Sequence, residues 1–168
     1  MLKEKELTII MGFAGSMSTA GQWKIVNWLI ENRYIDVLVS TGANVSEDIV
    51  DAMGFGYWQG SQHVNDEELL KADVNRYYDV FGKETDYREM ELLMTEGLMK
   101  LKKDYAYTSA ELLYVFGKYL SKKGVKSIAA TAAENKVPVF CPAITDSAYG
   151  EAFIMAKNAG HWVVLDQV

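Results

Sequence analysis

Residues 137–151 gather the side chains best suited to chemistry: the hydroxyls of Thr145 and Ser147, the carboxylate of Asp146 and, one helical turn further on, that of Glu151. An apolar run from Val137 to Cys141 precedes them and stops at Pro142, and a helical pattern (Ala152, Phe153, Met155, Ala156) follows. That order predicts a buried parallel strand feeding a helix. Open α/β sheets bind ligands outside the carboxyl ends of their strands, so both carboxylates are expected at one crevice. Asp is also a favoured helix N-cap, and spacing alone leaves Asp146 open between the two roles.

Other chemistries have thinner support. Cys141 with His63 or His161 would make a nucleophile and base, but Cys141 stands in an apolar run between Phe140 and Pro142 and reads as a buried structural cysteine. No H-E-x-x-H or C-x-x-C pattern is present, so no metal is expected. The Gly/Ser stretch from Gly12 to Gly21 follows an apolar β-branched run (residues 7–11) and precedes a helix carrying Trp23, Ile25, Val26, Trp28, Leu29 and Ile30. Such a loop can present backbone amides and a helix dipole to a pyrophosphate. It lacks both G-x-G-x-x-G and the P-loop ending, and a plain turn with Thr19 as cap is the alternative.

The elements that must position these groups follow an α/β rhythm. Residues 36–40 form a second strand, and Thr41 to Asp48 turn it into a helix with Ile49, Val50, Ala52 and Met53. Two strand–loop–helix units in succession imply a right-handed crossover and a parallel sheet with both loops on one edge. Asn44 and Glu47 stand at cap and N3 spacing, which also fits a capping box. Residues 138–141 and 162–166 complete four apolar runs expected in one parallel sheet with helices on both faces. Between them, 54–61 and 77–82 read as aromatic loops outside the sheet. Two amphipathic helices carry Tyr87, Met90, Met94, Gly97, Leu98 and Leu101, and then Leu112, Leu113, Phe116, Tyr119 and Leu120. Thr108 with Glu111 opens the second as a capping box and Gly124 closes it. A shorter helix spans 126–135.

Composition limits what the crevice belongs to. With 168 residues, 49% hydrophobic and 24% charged, residues 1–168 fit one globular domain. A formal charge of -6 argues against nucleic acid and tolerates cationic small molecules. One cysteine permits no intrachain disulfide, which makes the cytoplasm the expected compartment. The mixed-charge start, residues 1–6, predicts neither a signal peptide nor a membrane span.

Four blocks taken together, Gly12 to Gly21, Val37 to Asn44 with Glu47 and Asp48, Val137 to Asp146, and Val163 to Asp166, resemble deoxyhypusine synthase, in order over almost the whole chain. The Pro-Val-Phe-Cys-Pro-Ala-Ile-Thr-Asp block is the most specific. The resemblance implies a Rossmann-like three-layer α/β fold with a mostly parallel sheet, and NAD-dependent transfer of the aminobutyl group of spermidine to a lysine of a translation factor precursor. By position it puts NAD contacts on Gly15, Ser16, Met17, Ser18, Thr19, Thr41, Gly42, Ala43, Glu47 and Asp146, and polyamine contacts on Ser46, Glu47 and Glu151. It also implies a homo-oligomer, with active sites between subunits.

The chain departs from the family's pattern at three site positions. Gly15-Ser16 replaces a Ser-Asn step, Ser46 replaces an acid, and Glu151 is one methylene longer than the usual Asp. The family's lysine segment is not found here, since none of Lys118, Lys122, Lys123, Lys126, Lys136 or Lys157 lies in that motif. The sheet is therefore expected to be incomplete at its C-terminal side, and activity to need a complementing chain that carries the lysine. Two other readings stand beside this one: a homospermidine synthase-like aminobutyltransferase with a small amine as acceptor, and a non-catalytic regulatory or scaffold paralogue.

Overall fold

A computed structural model describes residue 4 and residues 6–166; the start at Met1 and the end at Val168 lie outside the described residues. Strand β1 (Ile10–Phe13) leads through the Gly/Ser loop to helix α1 (Trp23–Glu31), then β2 (Val37–Ser40) and α2 (Asn44–Ala52). An excursion follows: β3 (Trp58–Gln59), a short α3 (Asp66–Lys71), and the hairpin β4 (Val74–Tyr77) and β5 (Val80–Lys83). The chain continues through α4 (Glu84–Leu98), β6 (Ala106–Thr108), α5 (Ser109–Lys122), α6 (Ile128–Asn135), β7 (Val139–Phe140), α7 (Ala148–Asn158) and β8 (Val164–Asp166). The fold is α/β and Rossmann-like, with a parallel sheet ordered β1-β2-β7.

Local sequence accounts for most of these boundaries. Thr108 and Glu111 form the expected capping box at α5, and Gly124 follows its end at φ 77°. Ser127 caps α6 by accepting the Ala130 amide. The Ala-rich α6 packs tightly on α5, because a Cβ on Gly117 would come within 2.1 Å of the Ala129 carbonyl oxygen. Val26, Ile30, Ile49, Met90, Met94, Leu112, Phe116, Ile128 and Tyr149 join all six longer helices in one buried core.

The sheet has one covered face and one open face. The order β1-β2-β7 steps in a single direction, and successive right-handed crossovers then lay their helices on one side. Leu38 and its register partner Val139 are buried beneath those helices. On the opposite face lie Ile10, Gly12, Val39 and Phe140, with Ile10 64% and Phe140 44% exposed.

Several expectations need correction. The last apolar run is not in the central sheet: β8 pairs in parallel with β6, in a two-stranded ladder of its own. The partner strand is only three residues long, Ala-Tyr-Thr, too short to show a period. Strand β1 also runs two residues into the Gly/Ser stretch, because Gly12 and Phe13 pair with Val39 and Ser40 and Phe13 is buried. The aromatic stretch 77–82 is mostly hairpin, joined antiparallel to β3.

Candidate functional site

The carboxyl ends of β1, β2 and β7 open together onto a largely apolar cavity of about 490 Å³. Gly12, Phe13 and Ala14 line it from β1, Val39 to Gly42 from β2, and Pro142, Ala143 and Asp146 from the segment after β7. This is the edge where a parallel sheet binds ligands.

Asp146 is free of the cap duty left open above. Ser147 is the N-cap of α7, its hydroxyl accepting the Tyr149 amide, so the exposed Asp146 carboxylate faces the cavity instead. Gly42 is fixed by the same turn: a Cβ there would meet Ser147 Oγ at 2.5 Å. The start of α2 is likewise not a capping box. Its N-cap is Ala43, with no side-chain cap, so first-turn amides keep no side-chain partner. An anion near Thr41 and Gly42 would meet those amides and the positive end of the helix dipole.

Asn44 holds the two loops together, a role that sequence reasoning missed by treating it as a cap. Its Oδ1 accepts the Ser18 amide at 3.0 Å, its Nδ2 donates to Thr41 Oγ1 at 3.0 Å, and its carbonyl accepts from Ser18 Oγ at 2.6 Å. Ser18 and Thr19 are therefore buried, and Thr19 Oγ1 donates to the Ser16 carbonyl rather than capping α1. Gly15, Ser16 and Met17 remain exposed on the loop, while Ala43 is partly buried at the α2 start. Ser46 is buried and its hydroxyl is turned back on the Gly42 and Ala43 carbonyls.

Glu47 lies one turn into α2 with its Oε2 out of solvent and without a hydrogen-bond partner. Burial alone pushes its carboxyl up to about 7. Beside it stands a tyrosine cluster. Tyr57 donates to the Glu47 carbonyl at 2.9 Å, and its oxygen is 2.8 Å from that of Tyr87, which must then be the donor. Tyr77 stacks on Tyr87 with centroids 6.0 Å apart. Burial pushes the Tyr77 phenol up to about 12, against a hydrogen bond from Tyr87 and with the charges of Glu47, Glu84 and Glu151 adding to it, so all three carboxylates act on this one ring. The excursion read as aromatic loops is thus tied to Glu47 through Tyr57 and feels the charge of Glu151 at Tyr77. Glu91 completes the group: it lies one turn after Tyr87 inside an apolar stripe, the signal that could have marked it.

Cys141 is buried and its thiol is pushed up to about 11, mainly by burial, which fits a structural role. Among the described residues no helix is long and apolar enough to cross a membrane.

The chain matches known proteins over its whole length. The family model of deoxyhypusine synthase covers residues 1–168. A probable deoxyhypusine synthase 2 of Archaeoglobus fulgidus is 44% identical over 168 residues, which is 100% of this chain and 55% of that protein. The probable deoxyhypusine synthase 2 of Methanosarcina mazei is 38% identical over 170 residues, covering 100% of this chain and 49% of its own length. A deoxyhypusine synthase-like protein of Chlorobaculum tepidum is also 38% identical, again over 49% of its length. The crystal structure of a putative deoxyhypusine synthase from Entamoeba histolytica superposes with a TM-score of 0.65 at 21% identity, covering 98% of this chain and 52% of that one. The chain thus spans about half the length of the relatives it matches. With the family model matched from end to end, this chain belongs to the deoxyhypusine synthase family.

Proposed function

We propose that this chain supplies part of the NAD site and part of the spermidine site of a deoxyhypusine synthase-type transferase, which moves the aminobutyl group of spermidine to a lysine of a translation factor precursor. The observation that carries it is the meeting of three strand ends at one apolar cavity, with Asp146 at its rim and Glu47 and Glu151 beside an aromatic wall.

The residues fit a dinucleotide. Gly12 and Ala14 leave room for close approach, the uncapped α2 start suits a pyrophosphate, and Asp146 offers an acceptor for a ribose hydroxyl pair. Bound NAD would take up a hydride from the polyamine and later return it. Glu47, partly buried in α2, and Glu151, exposed in the first turn of α7, would hold the ammonium groups, since charge-assisted hydrogen bonds to carboxylates are strong. Loss of hydride from the carbon beside the secondary amine leaves an imine, and a lysine amine that attacks it expels diaminopropane and keeps the four-carbon unit. That lysine is expected from the part of the family's sequence that residues 1–168 do not span.

The test is to mix the chain with the complementary half of a full-length relative and follow NAD-dependent release of diaminopropane from spermidine. Release is expected from the mixture. A mixture that binds neither NAD nor spermidine and releases nothing would leave the scaffold reading in its place.

A further inference from the structure

The packing of α4 on α7 sets up a carboxylate pair. Thr95 of α4 donates to Met155 Sδ of α7 at 3.7 Å, and stepping back one turn on each helix brings Glu91 opposite Glu151. Glu151 then acts on the Glu91 carboxyl through a side-chain hydrogen bond and through its charge, both raising it, as a pair that holds one proton between its oxygens would. Two carboxylates meeting without a cation are costly. Glu84, nearby on α4, already has partners, accepting from Asn75 at 2.7 Å and lying 3.6 Å from Arg88. Among the described residues neither Glu91 nor Glu151 forms a salt bridge. Along the same wall the buried Oε2 of Glu47 has no hydrogen-bond partner at all, an acceptor left without a donor.

We propose that Glu91 is a specificity-determining residue of the polyamine site, which pairs with Glu151 to clamp one terminal ammonium while Glu47 receives another nitrogen of the same molecule. This rests on the polyamine reading above. The Glu91–Glu151 pair and the unpartnered Oε2 of Glu47 are two separate acceptor sites, which select a ligand with at least two cationic nitrogens over a monoamine. Arrival of the ammonium displaces the shared proton to solvent, so the free pair with its proton and the loaded pair with its ammonium each carry one net negative charge. The charged groups that act on Glu91 are Glu151 from α7 and Glu84 and Arg88 from its own helix, and Glu84 and Glu151 act also on Tyr77 of β4. Burial and Glu151 push Glu91 up to about 7, Glu84 adding to this and Arg88 opposing it. Deprotonation through that range frees the clamp, so affinity rises with pH.

Calorimetry with spermidine, in buffers of different ionisation enthalpy, tests this on the chain or on the complemented assembly. Glu91→Gln is expected to weaken spermidine by about tenfold or more, to abolish proton release and to flatten the rise in affinity between about pH 6 and 8, set by the shift cited above. Glu91→Asp should restore part of the affinity, and NAD binding should not change. Glu89→Gln, which removes the same charge from an exposed position on α4, controls for bulk electrostatics. Equal spermidine affinity and proton release in wild type and Glu91→Gln would overturn the role of Glu91 alone, as would an equal loss in Glu89→Gln. Failure of wild type to bind spermidine in any assembly would instead remove the polyamine reading itself.

Discussion

Asn44 Oδ1 accepts the buried Ser18 amide at 3.0 Å, and this bond fixes the loop after β1 against the first turn of α2. Both loops border the cavity at the strand ends, so the same contact serves stability and site shape. Asn44→Ala leaves the Ser18 amide buried and unpaired and should cost about 1–3 kcal/mol. Urea unfolding measures that loss, and Asn44→Asp, which keeps the acceptor oxygen, should recover part of it.

Asp146 and Ser147 are adjacent yet should separate cleanly in their effects. Ser147 caps α7, so Ser147→Ala should cost about 1 kcal/mol of stability. Asp146 makes no cap, so Asp146→Ala should leave the unfolding midpoint almost unchanged while weakening NAD by about 1–3 kcal/mol, the range for hydrogen bonds to charged groups and for an unmatched polar group. Calorimetry and thermal melts on both variants check this. A stability loss in Asp146→Ala with unchanged NAD affinity would return Asp146 to a structural role.

How much of this was legible in sequence depends on how each feature is encoded. Asp146, Thr41 and Gly42 could be placed at one edge because parallel strands put all their carboxyl ends together, whatever the exact boundaries. The caps at Thr108 and Ser127 are local, and local rules suffice for them; the first was read from sequence as a capping box. The pairing of β6 with β8 was not legible, since Ala106 to Thr108 has no pattern of its own and its partner lies about sixty residues away. Glu91 and the tyrosines were hidden for a related reason: an acid in an apolar stripe acquires meaning only when the facing helix presents another acid.

Stability should fall as pH rises through neutrality. Glu47 and Asp48 are each pushed up to about 7 by burial first of all; the Ile128 amide, donating to Asp48, opposes the shift, while Glu47 adds to it. A carboxyl whose folded-state value is raised binds its proton more tightly when folded, so its stabilisation is complete below about 4.5 and is lost on passing 7. The chain should therefore melt at a higher temperature at pH 5.5 than at pH 8. Glu47→Gln should narrow that gap and raise stability at pH 8 by an amount on the order of 1–3 kcal/mol, at the expense of polyamine binding. An unchanged gap in Glu47→Gln would show that its carboxylate is solvated in solution.

The open sheet face makes the last prediction. Purely parallel sheets are covered on both sides, but the β1-β2-β7 order places the helices on one side only, leaving Ile10, Val39 and Phe140 on the other. Among the described residues β1 is an edge strand of that sheet, and such edges recruit another strand. The matched relatives are about twice as long as this chain, so the part of the family's sequence that residues 1–168 do not span is the expected cover. Sedimentation should show the chain self-associating alone and forming a complex with the complementary half of a relative, with amide exchange slowed in β1 and β7. Ile10→Asp with Phe140→Asp should abolish both associations while leaving the buried core, on the opposite face, intact. A monomer at all concentrations, with no slowing of exchange on mixing, would show that this face is stable in water as it stands.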